Sequence, residues 1–324
     1  MPADASAFVL LVGPTGAGKS ALALELAESA GGEIVNADSM QVYRGFDIGT
    51  DKPSAGDRRR IPHHLLDIVD PRTQFTAADF CAQAGEAIAA IRGRGRRALV
   101  VGGTGLYVKA LLDGLFPGPG RDDALRAALD REARESGLEA LWRRLAAADP
   151  DYAAKVGPRD RIRIIRSLEV LTLTGRTMTD HFRETRSRVA GARVLKIGLG
   201  RERAELVGRI EARVDRMFER GLVEEVAGLL AAGVPETAPP FRALGYRHVL
   251  RHLKGEIGRG EAAALTKIDT RRYAKRQMTW FRKMEGFLWF GPDGSIGPVP
   301  PALRASGESE AAAEILRLIA AEGP

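Results

Sequence analysis

The sequence predicts an α/β fold in which a parallel sheet with helical crossovers is interrupted by an α-helical insertion. Three observations lead there. Short continuous apolar runs alternate with helical stretches early in the chain, a long helical region without a strand pattern follows, and a strand pattern resumes near residue 190. Alternating strands and helices imply parallel pairing with right-handed crossovers.

In order, Phe8 to Val12 is an apolar run of the kind found in a strand buried on both faces. Ala21 to Ala30 reads as a helix, Glu33 to Ala37 as a second strand, and Ala78 to Arg92 as a helix broken by Gly93 to Gly95. Ala98 to Val101 is a third strand ending at Gly102 and Gly103. The Pro- and Gly-rich stretch Leu115 to Gly120 marks a boundary. From Arg121 to Arg188 only helical periodicity is visible; Val194 to Leu199 is a strand again. Arg203 to Leu230 and Lys267 to Glu285 read as long helices, and Phe287 to Phe290 as a closing strand. The expected organisation is a core over 1–115, a helical insertion over 116–190, the core resumed over 191–291, and a tail over 292–324 with no visible chemistry.

Composition removes several classes. The chain has 324 residues, 44% hydrophobic and 28% charged, as in a globular protein. Its one cysteine, Cys81, excludes an internal disulfide framework and any Cys-based zinc module, and its helical context suits a small buried hydrophobe. No apolar run reaches the length of a membrane span or a signal peptide, so the expectation is a soluble, cytoplasmic protein. The net charge is +7, from 49 Lys+Arg against 42 Asp+Glu; 40 of those cations are Arg and 9 are Lys. A basic chain can bind a polyanion, but Arg richness also follows from base composition. Clustering is what discriminates.

Gly13, Pro14, Thr15, Gly16, Ala17, Gly18, Lys19 and Ser20 match the pattern G-x-x-x-x-G-K-[ST] of a P-loop, with a buried strand before it and a helix after it. Such a loop turns successive backbone N–H groups onto phosphate oxygens at a helix N-terminus. Lys19 adds a cation and the Ser20 hydroxyl a ligand for Mg2+. The motif indicates a P-loop NTPase-like core that binds polyphosphate; ATP is the usual guest of such a nucleotide-binding loop but is not specified here. Asp38 closes the second strand, and strand carboxyl ends line the crevice of an open parallel sheet. It can serve as a base beside the loop or cap a turn before Ser39. The third strand ends without an acidic residue, which argues against a motor or switch ATPase.

Two basic clusters stand out. Arg159, Arg161, Arg163 and Arg166 lie along one stretch of the insertion. Arg271, Arg272, Lys275, Arg276, Arg282 and Lys283 are interleaved with Tyr273, Trp280 and Phe281. Cations among aromatics suit a nucleic-acid backbone with stacked bases, and they equally suit a solvated helix whose aromatics face a core. Arg131 to Arg144 is balanced by Glu132, Glu135 and Glu139, as on an ordinary charged face. Adjacent His63 and His64 point apart on regular structure, so structural roles are expected.

Six stretches in order resemble the bacterial tRNA isopentenyltransferase (tRNA dimethylallyltransferase) family: Gly13 to Ser20, Asp38 to Thr50, Pro62 to Asp67, Val101 to Tyr107, Arg242 to Arg247 and Lys275 to Trp280. They span roughly residues 8 to 290, without departure at the motif positions. The single cysteine separates the chain from relatives that add a zinc finger.

The resemblance implies a monomeric enzyme that carries a dimethylallyl group from dimethylallyl diphosphate to the N6 amine of the adenosine 3′ of the anticodon, with Mg2+. The acceptor would be tRNAs reading codons that begin with U. It implies Asp38 as general base, Thr15, Lys19 and Arg213 as further catalytic groups, and Gly13 to Ser20 with Arg213 on the diphosphate. It implies tRNA contacts at Asp38, Ser39, Met40, Gln41, Thr104 and Arg126, and at Ile162, Arg163, Ile164, Ile165 and Arg166. It implies further contacts at Arg242, Ala243, Leu244, Gly245, Tyr246 and Arg247, and at Lys275, Arg276, Gln277, Met278, Thr279, Trp280, Phe281 and Arg282. A small-molecule kinase with Asp38 as base, and a non-catalytic tRNA-binding module, are the alternatives.

Overall fold

The computed structural model describes residues 7–116, 118–291 and 308–321. Six strands, β1 (Phe8–Val12), β2 (Gly32–Asn36), β3 (His63–His64), β4 (Arg97–Gly102), β5 (Val194–Leu199) and β6 (Leu288–Phe290), form one sheet in the order β3-β2-β4-β1-β5-β6. Every pairing is parallel. Register places Val12 opposite Gly102 and Gly198, and Asn36 opposite Val101, so β1, β2, β4 and β5 end at one edge. The residues that follow them, Gly13, Ala37 and Asp38, Gly103, and Gly200, form the crevice expected of such a sheet.

Fourteen helices are described. Those of the core are α1 (Lys19–Ser29), α2 (Ala55–Arg60), α3 (Ala77–Gly93) and α4 (Gly105–Asp113). The middle of the chain carries α5 (Asp123–Glu135), α6 (Leu138–Ala148), α7 (Pro150–Ala153), α8 (Arg161–Thr174) and α9 (Met178–Glu184). Then come α10 (Arg203–Glu219), α11 (Leu222–Ala231), α12 (Leu244–Leu253), α13 (Arg259–Phe281) and α14 (Glu308–Ala321). Two compact units result: Met1–Leu111 with Val189–Pro324, and Leu112–Arg188.

Several helices depart from the sequence reading. The single helix expected over Arg203 to Leu230 is two, because Gly221 turns with φ +96° and starts α11 in a new direction. The helix expected from Lys267 begins at Arg259, eight residues earlier, after a Gly258 N-cap that offers no side-chain cap. It ends at Phe281 rather than Glu285.

The tail is structural. Residues 292–307 and 322–324 lie outside the described residues, but α14 buries Ala312, Ile315 and Ile319 against Leu22, Leu26, Ile34, Leu99 and Ile197. It therefore covers the same side of the sheet as α1, the helix into which the P-loop leads. A second cluster joins the loop after β2 to α10, α11 and α12 through Val42, Phe46, Val214, Phe218, Leu222, Phe241 and Tyr246. The middle unit has its own core, with Leu129, Leu141, Leu145, Ile164, Ile165 and Leu168 buried together. In that unit Arg144 pairs with Glu132 and Arg143 with Glu139, the charged face its sequence suggests. Cys81 is buried within α3.

Candidate active site

The strand ends open onto a cavity of about 730 Å³. Thr15, Lys19 and Ser20 line it from the P-loop, Asp38 to Gln41 from the end of β2, Gly102 and Gly103 from β4, and Arg213 from α10. Arg242 to Gly245, Tyr273, Arg276 and Gln277 close it from α12 and α13 and the turn before them.

The P-loop is braced from three sides. Arg209 Nε donates to the Gly16 carbonyl (2.9 Å) and Arg201 Nε to the Ala17 carbonyl (3.0 Å). Gln277 spans the third side: its Oε1 accepts from Thr15 N (2.8 Å) and its Nε2 donates to Gly103 O (2.8 Å). A Cβ on Gly103 would lie 2.2 Å from Gln277 Nε2, so only glycine lets the amide close on that backbone. The sequence reading assigns Gln277 to tRNA contact. Its side chain is buried with both ends occupied, and so braces the phosphate loop against the β4 turn from the wall of the same cavity.

Lys19 Nζ donates to Pro14 O at 2.8 Å. Burial, with the Arg213 guanidinium nearby, brings its pKa down to about 8, against the upward pull of the Asp38 carboxylate. Arg213 donates from Nη1 to Thr15 Oγ1 at 2.6 Å. Its Nε is buried without a hydrogen-bond partner, although Asp51 Oδ2 lies 3.3 Å away. A cationic pair at a helix N-terminus, with one donor unsatisfied, fits a diphosphate. Ser20 is exposed to the same cavity and could hold a divalent cation together with phosphate oxygens.

Asp38 faces that cavity half-buried. Its Oδ1 accepts from Met40 N (2.8 Å) and Gln41 N (3.4 Å), so the turn-capping role is realised while Oδ2 is left for other work. Ser39 N donates to Thr104 Oγ1 at 3.1 Å, tying the Asp38 turn to the β4 end. The Gln41 amide donates to the carbonyls of Thr50 (2.9 Å) and Asp51 (3.2 Å) and so organises the next loop. Asp51 itself takes φ +55°, a conformation rare outside glycine.

Of the expected tRNA contacts on α13, Lys275, Arg276, Thr279 and Trp280 are exposed and Met278 is partly covered, and Arg282, just past the helix end, is exposed as well. Arg276 lies over the Tyr273 ring at 5.8 Å, and burial with the Asp38 charge raises the Tyr273 hydroxyl to about 12. Phe281 is wholly buried. Ahead of α12, Arg242 is exposed and Ala243 partly so; in its first turn Leu244 is partly exposed, Gly245 and Tyr246 are buried and Arg247 is exposed. Tyr246 donates to Glu225 at 2.5 Å and accepts from Gly49 N at 3.1 Å.

In the middle unit Arg163 and Ile162 are exposed; Ile162, at 82%, is the most exposed large apolar residue described. Arg126 and Arg166 are partly covered and both bond Glu169. Ile164 and Ile165 belong to that unit's core. Expected tRNA contacts at Ile164, Ile165, Tyr246 and Phe281 are therefore corrected: these side chains pack inward, because a helix facing a ligand must turn its other face to the core.

His64 bonds Glu33 (2.7 Å) and His63 the Ile61 carbonyl (2.7 Å), the structural roles anticipated for them. The sequence reading missed Arg201, Arg209 and Asp51. Arg209 precedes Arg213 by one helical turn, a spacing that already puts both on one face of α10. Among the described residues no His, Cys, Asp and Glu gather in a group of three that could hold a metal, and no helix is long and apolar enough to cross a membrane.

The family model described as IPP transferase matches residues 41–284, and one described as isopentenyl transferase matches 6–63. A tRNA dimethylallyltransferase of Geobacter metallireducens is 56% identical over 282 residues, 87% of this chain and 91% of that protein. The crystal structure of a tRNA isopentenylpyrophosphate transferase from Bacillus halodurans superposes with a TM-score of 0.71 at 37% identity, covering 98% of this chain and 96% of that one. A eukaryotic dimethylallyltransferase acting on tRNA gives 0.72 at 29% identity over 88% of this chain and 74% of that one. With its P-loop core, its helical middle unit and relatives matched over most of their length, the chain belongs to the tRNA dimethylallyltransferase family.

Proposed function

We propose that this chain is a tRNA prenyltransferase that moves the dimethylallyl group of dimethylallyl diphosphate onto the exocyclic N6 of the adenosine 3′ of the anticodon. The tRNAs are those reading codons that begin with U, and the products are isopentenyladenosine in tRNA and diphosphate. One observation carries the reading: a phosphate-binding loop and an Asp38 carboxylate line a single cavity. Family membership then favours prenyl transfer over phosphoryl transfer, and the kinase alternative is set aside.

The residues supply each part of the reaction. The N6 lone pair is delocalised into the purine, so the amine is a weak nucleophile. Asp38 orients it and accepts one N6 proton as the N6–C1 bond forms and the C1–O bond to diphosphate breaks. The bond's electron pair leaves with the diphosphate. Lys19, the loop amides and Arg213 stabilise the charge that gathers there, and Thr15 holds Arg213 in place. Mg2+ on Ser20 would supply further charge neutralisation of the leaving group. The adenine must leave its stack to reach Asp38. Exposed Trp280, Arg276, Lys275 and Arg242 beside the cavity suit stacked bases and phosphates. A monomer working in the cytoplasm completes the reading.

Purified chain with dimethylallyl diphosphate, Mg2+ and unmodified tRNA should yield a prenylated adenosine by nucleoside mass spectrometry. Transfer of phosphate from ATP with no prenylated product would reject the reading. Arg163→Ala should weaken tRNA binding and reduce the slope of log affinity against log salt by about one. An unchanged slope in salt titrations would remove Arg163 from the tRNA contacts.

A further inference from the structure

Glu169 is a fully buried carboxylate on α8 with both oxygens occupied. Its Oε1 accepts from Asp122 N (2.9 Å) and Arg126 Nε (2.9 Å). Its Oε2 accepts from Arg126 Nη2 (2.8 Å) and Arg166 Nη1 (2.6 Å). Arg166 Nη2 also donates to Pro119 O at 2.8 Å. These hydrogen bonds, against the cost of burial, hold the carboxyl at a pKa of about 2, so it is ionised at any working pH.

Two guanidiniums thus share one carboxylate, and the cluster carries a net charge of +1. Both arginine side chains keep part of their surface open, at 28% and 31%. Arg126 is gripped side-on through Nε and Nη2, which leaves Nη1 for a ligand. An arginine free in solvent samples many rotamers and loses that freedom on binding; one already clamped loses little. A buried acid is a costly way merely to join α5 to α8, since apolar packing would serve as well.

We propose that Glu169 is a positioning residue that holds Arg126 and Arg166 as a rigid fork for a phosphodiester of the tRNA. The inference rests on the proposed tRNA reading and adds a residue that does not itself touch RNA. Its work is done through geometry: the acid fixes which guanidinium edge faces outward and prevents either arginine from folding back onto another acid.

The test uses the full chain with unmodified tRNA, dimethylallyl diphosphate and Mg2+. Glu169→Gln should raise KM for tRNA about tenfold, with kcat and donor KM within about twofold of the parent. Glu169→Asp, which keeps the charge, should recover part of the loss. Arg126→Ala should raise tRNA KM similarly, and the double variant should be no worse than either single one, since both remove one unit. If Glu169→Gln unfolds the middle unit, Arg126→Lys serves instead: it keeps the charge, loses the side-on grip and should raise tRNA KM with an unchanged melting temperature. Arg126→Ala raising tRNA KM while Glu169→Gln leaves it alone, or losses that multiply in the double variant, would overturn the positioning role and leave the tRNA reading intact. Normal tRNA KM in both Arg126→Ala and Arg166→Ala would instead remove these arginines from the tRNA site, and the positioning role with them.

Discussion

Asp38→Asn should lower turnover by about 10²- to 10⁴-fold while tRNA affinity changes by less than about threefold. Asparagine keeps an oxygen for Met40 N and Gln41 N, so the turn after β2 survives. Under the proposed function, what it loses is the ability to take the N6 proton. Asp38→Ala removes base and cap together and should also loosen the Ser39–Thr104 contact, raising KM for tRNA as well. Single-turnover rates with saturating tRNA separate the two variants. Equal losses of rate and affinity in Asp38→Asn would assign Asp38 to binding rather than to proton transfer.

Lys19→Ala should cost about 10²- to 10³-fold in kcat, because a cation aimed at the departing diphosphate acts most strongly as its charge develops. Full turnover by this variant would favour a binding module that merely retains the loop. The same residue sets a pH dependence. Its pKa is near 8 in the folded chain and 10.5 for an unperturbed lysine, so the charged form is disfavoured by folding. Below about pH 8 both states are protonated and the cost of enclosing the charge is fully present. Between 8 and 10.5 the unfolded chain binds the extra proton, so this group makes stability rise with pH across that window. Donor binding runs the other way. A diphosphate favours the ammonium, so the Lys19 contribution to affinity should be flat from about pH 7 to 8 and fall by up to about tenfold per unit above that. Calorimetry at pH 8.5 in two buffers of different ionisation enthalpy should detect proton uptake on diphosphate binding. No uptake would show that Lys19 is already charged in the empty loop.

Much of the fold was legible because its signals are local. Phe8 to Val12 and Val194 to Leu199 are read to the residue, the first from an unbroken apolar run of the kind a buried parallel strand needs, the second from a mainly apolar run interrupted by Lys196 and Gly198. Elements with weak local signals escaped. The strand at His63–His64 is two residues long and polar, α4 starts inside a glycine string, and α12 starts with no side-chain cap. In the site, the P-loop and Asp38 declare themselves by spacing. Gln277 does not: it meets Thr15 from 262 positions away, and nothing in its own neighbourhood distinguishes a brace from an RNA contact. The aromatics of α13 divide between the two readings left open by composition, with Trp280 exposed and Phe281 buried.

Gln277 sits next to the exposed Arg276 and one helical turn before the exposed Trp280 on α13, yet its amide holds the backbone of Thr15. Under the proposed function one rigid rod therefore touches both substrates. Any shift of that helix on taking up RNA is felt by the loop that grips the diphosphate, so the two ligands are thermodynamically linked. Linkage is reciprocal: the factor by which tRNA changes donor affinity equals the factor by which donor changes tRNA affinity. Shortening the Gln277 side chain would uncouple the two binding equilibria before it abolished either.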